Sequence, residues 1–169
     1  MPPHSSAPDF TTLVDDYYQS LYRFALSLIR NESEAADLVQ QTFLIWARKG
    51  DSLKDASKVK SWLFTTLYRE FIRSNRRNKR MEPAEEEPME LMLPPTEVDY
   101  SVKVDSKILL ERLQDLEQNY REPLVLFYLE DLSYKEIADI LNVPIGTVMS
   151  RLSRGKTALK NLLLTKLEK

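Results

Sequence analysis

Apolar residues return every three or four positions along most of this chain, the period of a helix packed on one side. Phe10, Leu13, Val14, Tyr17, Leu21, Phe24 and Leu28 follow it and predict a helix over about residues 9–30. Asn31 interrupts the pattern, and Ser33 is the expected cap of the next helix. In that helix Ala35, Leu38, Val39, Thr42 and Trp46 share a face, while Glu34, Asp37, Gln40 and Gln41 lie mostly opposite. Phe43 and Leu44 lean towards the outer side, which hints at a protein contact. Gly50–Ser57 reads as a polar loop, and VKSWLFTTLYREFIRSNRRNKR as about six turns of helix. Of its aromatics Trp62, Phe64, Tyr68 and Phe71, several are expected in a core. Residues 82–102 lose the period and carry Pro83, Pro88, Pro94 and Pro95, so a linker without regular structure is expected there. The period returns from Val104 with Ile108, Leu109, Leu113 and Leu116, breaks at 119–122, and resumes with Pro123 placed in the first turn of a further helix.

The sharpest pattern is SYKEIADILNVPIGTVMSRLSRGK, residues 133–156. Ser133 and Glu136 have capping-box spacing. Ile137, Ile140 and Leu141 form one face, and Asn142 is suited to the left-handed residue that ends a helix. Pro144 can open the next helix, whose stripe is Val148, Leu152, Leu159 and Leu162. Thr147, Ser150, Arg151 and Arg154 project from another side, within an arc of roughly 100°. Helix, short turn, and a second helix bearing hydroxyls and arginines is the layout of a reader of the DNA major groove. Arginine reaches both acceptors of a guanine edge, and Ser or Thr bonds bases or phosphates. The blander reading is a helical hairpin with a solvated basic face.

Charge sharpens the division. Net charge over the 169 residues is only −2. Residues 58–81, however, hold eight Lys and Arg against Glu70, a net of +7. Residues 82–105 hold eight acids against Lys103, a net of −7, and residues 133–169 carry +4. Two basic segments flanking an acidic one suggest two contact surfaces and a solvated spacer. Cations crowding after aromatics in 62–80 are the combination that holds single-stranded nucleic acid.

With no cysteine the chain has no thiolate site, and its single histidine, His4, in the Pro- and Ser-rich start, is expected to be neither ligand nor catalyst. No phosphate-cradling glycine loop or HExxH motif occurs, so neither an enzyme nor a bound metal or cofactor is expected. MPPHSSAPD lacks the basic and apolar regions of a signal peptide, and no apolar run approaches the roughly 20 residues that span a bilayer, so a cytoplasmic protein is expected. Three glycines and little alternating pattern predict an all-α chain. It should form two small helical domains, 9–81 and 103–169, joined by the flexible acidic linker 82–102, the second being a helix-turn-helix.

Three stretches resemble a known family. SEAADLVQQTFLIWAR, VKSWLFTTLYREFIRSNRR and YREPLVLFYLEDLSYKEIADILNVPIGTVMSRLSRGK are similar to the polymerase-binding, −10 and −35 segments of RNA polymerase sigma factors of the extracytoplasmic-function (ECF) group, sigma-70 family. The resemblance implies a transcription initiation factor that binds core RNA polymerase and promoter DNA, melts the promoter, and is silenced by an anti-sigma factor. It implies polymerase binding by Asp37, Gln40, Phe43 and Leu44, and −35 contacts by Thr147, Ser150, Arg151 and Arg154 with Lys156 on phosphate. On the −10 helix Trp62 and Leu63 match its start, and Arg69 and Arg73 stand where the family commonly has Asn and Asp; Arg76 and Arg77, from the cation cluster, are expected beside them at −10. The loop Gly50–Ser57 has no clear match. An ordinary helix-turn-helix regulator with a helical first domain, and an interaction protein that binds polymerase or another partner, remain open beside it.

Overall fold

The computed structural model describes residues 8–78 and 106–167, and every regular element among them is helical. The acidic stretch 82–102, with the linker expected there, and the cations Lys79 and Arg80 lie outside the described residues. The chain divides into two compact units, Met1–Pro83 and Ala84–Lys169.

In the first unit α1 spans Phe10–Ile29, α2 Glu32–Lys49 and α3 Val59–Asn78. α1 ends because Arg30 takes the left-handed conformation, φ 61°, and returns its N–H to the Leu26 carbonyl at 2.9 Å. The chain then restarts at once. Asn31, not Ser33, is the cap: its Oδ1 accepts the Glu34 N–H at 3.0 Å. Asn31 is extended and already outside α1, so its amide oxygen is in place two residues before the hydroxyl. Glu32 and Glu34 at the start of α2, and Arg48 and Lys49 at its end, complement the helix dipole.

The three helices close on Leu13, Leu21, Phe24, Leu63, Phe64 and Leu67, all at 0% exposure. Burying side chains of this size stabilises the unit by about 1.5–3 kcal/mol each. Phe24 meets Phe64 with ring centroids 5.6 Å apart and Tyr68 at 6.2 Å, which joins α1 to α3. Two polar residues enter this core without leaving a donor unpaired. Ser27 Oγ donates to the Phe24 carbonyl at 2.6 Å, and Thr42 Oγ1 to that of Leu38 at 2.8 Å.

The second unit holds α4 (Ser106–Leu113), α5 (Gln118–Leu124), a π turn over Val125–Leu129, α6 (Tyr134–Leu141) and α7 (Ile145–Leu167). The helix around Pro123 differs from the sequence expectation. It starts five residues earlier, with Glu117 as cap residue, and Pro123 lies inside it. The break falls at residues 114–117 instead of 119–122. A proline removes one backbone donor. Beyond it the chain loosens into the π turn, where the Glu130 N–H reaches the Val125 carbonyl at 3.3 Å. The buried Arg121 guanidinium donates to the Leu116 carbonyl at 2.8 Å and ties α5 to the turn before it. Asp131 then turns the chain with φ 54° towards the cap of α6.

Candidate functional site

The corner between α6 and α7 is built as its sequence suggests. Ser133 Oγ accepts the Glu136 N–H at 3.2 Å, and Glu136 Oε2 accepts the Ser133 N–H at 2.8 Å. Asn142 ends α6 in the left-handed region, φ 56° and ψ 48°. The Pro144 carbonyl accepts the N–H groups of Thr147 at 3.0 Å and Val148 at 3.3 Å, which opens α7. Val148, Leu152 and Leu159 are buried on α7, which packs α5 and α6, and Ile137, Ile140 and Leu141 of α6 are likewise covered. Gly155 faces α5: a Cβ added there would stand 3.0 Å from Leu124 Cδ1 and 3.0 Å from Tyr120 Cβ. A side chain at 155 would need Leu124 and Tyr120 to give by a few tenths of an ångström, so the glycine favours the close approach of α7 and α5, a role that sequence periodicity does not reveal.

The residues expected to face DNA do not share one environment. Thr147, Arg154 and Lys156 are half-buried, whereas Ser150 is 1% and Arg151 6% exposed. Arg151 sits three positions after Val148 and four before Gly155, at the flank of the stripe that meets the other helices. Burial pushes the Lys156 amine below its ordinary value. Ile145, at the start of α7, is 49% exposed.

On α2, Asp37, Gln40 and Leu44 form an exposed row at spacings of three and four, continued by Ala47 and Arg48. Leu44 is 53% exposed. Phe43 is turned under this row: it is 5% exposed, with the ring of Phe10 against it.

On α3 the basic residues Arg69, Arg73, Arg76 and Arg77 are all exposed. Arg73 pairs with Glu70 at 3.3 Å. The Arg73 side chain is 65% exposed and that of Glu70 15%, so the arginine end of the pair is open to solvent. Phe64 and Phe71 are core, as expected for several of these aromatics, and Tyr68 is half-buried beside them. Trp62 is half-buried, edge-on to Trp46 with centroids 5.0 Å apart. The loop before α3 contains short helical turns at Gly50–Ser52 and Ala56–Lys58. Asp55 Oδ1 accepts both the Ser57 N–H at 3.0 Å and the Ser57 hydroxyl at 2.6 Å. Those hydrogen bonds hold the Asp55 carboxyl below the usual aspartate range.

Among the described residues no group of three His, Cys, Asp or Glu could hold a metal ion, and no helix is long and apolar enough to cross a membrane.

Against known proteins, the Sigma-70 region 2 family matches residues 13–81 and the Sigma-70 region 4 family residues 106–159. The ECF RNA polymerase sigma factor SigM of Bacillus subtilis is 33% identical, over 88% of this chain and 94% of that one. SigW of the same organism is 30% identical, over 91% and 88%. Among solved structures, the sigma factor RpoE in complex with the anti-sigma factor NepR from Bartonella quintana superposes with a TM-score of 0.67 at 30% identity, covering 92% of this chain and 96% of that one. A helix-turn-helix behind a three-helix unit with a basic third helix, and relatives matched along nearly their whole length, lead to one family: the chain belongs to the ECF RNA polymerase sigma factors, transcription initiation factors that direct the polymerase to promoters.

Proposed function

We propose that the two units divide promoter recognition between them, and that the exposed faces of α2 and α3 and the side of α7 that bears Thr147 and Arg154 carry its three contacts. The row Asp37, Gln40 and Leu44 docks on core RNA polymerase. Leu44 supplies the apolar contact, and the flanking polar groups fix register. Phe43 supports this row from beneath.

α3 takes the −10 element. Arg69, Arg73, Arg76 and Arg77 bind phosphates, and Trp62 offers an aromatic edge to an unstacked base. Arg69 and Arg73 strengthen the phosphate contact where the family commonly has neutral or acidic groups. In exchange, the hydrogen-bond acceptors that Asn or Asp would offer to a base are missing, and the loop Gly50–Ser57 is the nearest source of them. Melting is favoured by holding the single strand and not the duplex, so the contribution is binding energy and no covalent step is involved.

α7 enters the major groove at −35. Thr147 and Arg154 are half-buried side chains within reach of the groove, and Lys156 lies two residues beyond Arg154. Ser150 and Arg151 contact DNA only if their covering parts when the holoenzyme forms. The RpoE–NepR complex supports an anti-sigma factor as the protein's inhibitor. Acting with polymerase on DNA, the protein works in the cytoplasm.

The observation that carries this reading is the exposed arginine row on α3, in a unit separate from the helix-turn-helix; an ordinary regulator has no use for it. The test is transcription by purified core polymerase from a promoter library, with and without the protein, combined with permanganate footprinting of unpaired thymines. Protein-dependent transcripts with reactive thymines near −10 are expected. Binding to promoter DNA without core polymerase, and no new transcripts, would favour the regulator instead.

A further inference from the structure

The start of α7 carries a side chain that the hairpin does not need. The core of the hairpin is covered: Leu132 is 4% exposed, Ile137 0%, Ile140 1%, Leu141 5%, Val148 0% and Leu152 7%, while Val143 and Met149 are half-buried. Ile145 is 49% exposed and contributes little to that core. A β-branched residue at an exposed helical position gains nothing from helix propensity and leaves its methyl groups in water. Its neighbour Gly146 has no side chain to shield it, so the first turn of α7 can approach another surface closely.

The place matters as much as the exposure. In a helix-turn-helix docked on DNA, the N-terminal residues of the second helix meet the base edges. The major groove there offers mostly hydrogen-bonding groups, and its one apolar feature is the C5-methyl of thymine. Ile145 cannot satisfy a donor or an acceptor, and would leave one unpaired if placed against it. Arg154 lies nine residues further along, about 13 Å up the helix axis, so the two side chains meet different base pairs.

We propose that Ile145 is a specificity-determining residue of this chain, packing on the C5-methyl of one thymine in the −35 element. The proposal rests on the reading of α7 as the −35 helix. It assigns a base preference to a position with no hydrogen-bonding group.

The test uses holoenzyme assembled from core polymerase and the full chain, on a promoter recovered from the library. Each −35 thymine is replaced in turn by deoxyuridine, which removes the methyl and keeps the pairing. One such replacement should weaken wild-type binding by about fourfold, the effect of losing one buried methyl-sized group. Ile145→Ala should weaken binding to the thymine promoter by a similar factor and show no further loss at that deoxyuridine. Its melting temperature should match wild type, since the side chain is half in water. A −35 element insensitive to every replacement, or an Ile145→Ala protein that keeps the full wild-type sensitivity, overturns the proposal. A scrambled −35 element in the same panel separates the two levels. If scrambling has no effect, the −35 reading of α7 fails. If scrambling weakens binding but Ile145 and the methyl do not couple, only the assignment to Ile145 fails.

Discussion

Phe10 stands edge-on to Phe43, ring centroids 6.3 Å apart and planes at 77°. The outer ring is 46% exposed and the inner one 5%, so the first turn of α1 forms a cover over the end of α2. Phe43 is therefore a packing residue beneath the proposed polymerase face. Phe43→Ala should destabilise the first unit by about 3–5 kcal/mol. Leu44→Ala with Gln40→Ala, both on the exposed row, should leave stability within about 0.5 kcal/mol and weaken core polymerase binding. Denaturant melts and a binding titration separate the two effects. Wild-type affinity in the Leu44/Gln40 double mutant rejects the α2 row.

Gly50 is held by space and not by backbone conformation. Its φ is −61°, open to any residue, yet a Cβ there would come within 2.5 Å of two Trp46 ring carbons. The Trp46 ring is itself 5% exposed and set against Trp62, so it has little room to retreat. Gly50→Ala should cost about 1–3 kcal/mol by overpacking and change tryptophan emission. An unchanged melting temperature would show that the corner gives way freely.

Asp55 provides a pH signature in the loop before α3. Its carboxylate accepts two hydrogen bonds from Ser57, with Lys58 adding a smaller attraction, so its folded pKa is depressed. A depressed carboxyl contributes order that is present above the unfolded aspartate range and lost as pH falls through the folded value. An NMR titration of the side-chain carboxyl should give a midpoint below that of an ordinary exposed aspartate. Ser57→Ala should move it upward. Equal midpoints in the two proteins would show that the hydrogen bonds do not persist in solution.

Arg151 and Arg154 should behave differently although they are three positions apart. Arg151, 6% exposed, carries packing in its stem, and Arg151→Ala should lower the melting temperature. Arg154→Ala, at a half-buried position, should lower it less. If Arg154 pairs with a guanine, it loses about 1–3 kcal/mol of discrimination at one −35 base pair. If it binds phosphate, affinity falls for all sequences and the salt slope drops by about one unit. A promoter panel at several salt concentrations distinguishes these. No change in either quantity removes Arg154 from the DNA interface.

Features that depend on a few consecutive residues were legible. The Ser133–Glu136 box, the left-handed Asn142 and the start of α7 after Pro144 each follow from local hydrogen bonding and sterics, which act before any tertiary contact forms. The helical faces of α1 and α2 follow from spacing alone. Two local readings still failed where signals competed. Ser33 and Asn31 are both good caps, and the end of α1 at Arg30 favours the nearer one. Pro123 reads as a helix start, yet α5 already holds a turn before it and continues past the proline into a π turn.

By itself the sequence determined that the chain is helical, where α1 gives way to α2 and α6 to α7, and that its charge is segregated into basic, acidic and basic blocks. These are properties of spacing and composition, and they hold wherever the helices are placed. Only the tertiary structure decided the fate of residues at the margin of a stripe. Phe43 and Arg151 each lie at an angle where either water or a neighbouring helix could receive them. Phe10 covers the first, and the packing on the flank of α7 covers the second. The same holds for Gly50 and Gly155, whose missing side chains have meaning only because Trp46 folds back on one and Tyr120 and Leu124 press on the other. Periodicity locates a face to within about one residue's rotation, 100°, and the neighbour's position settles what lies at its edge.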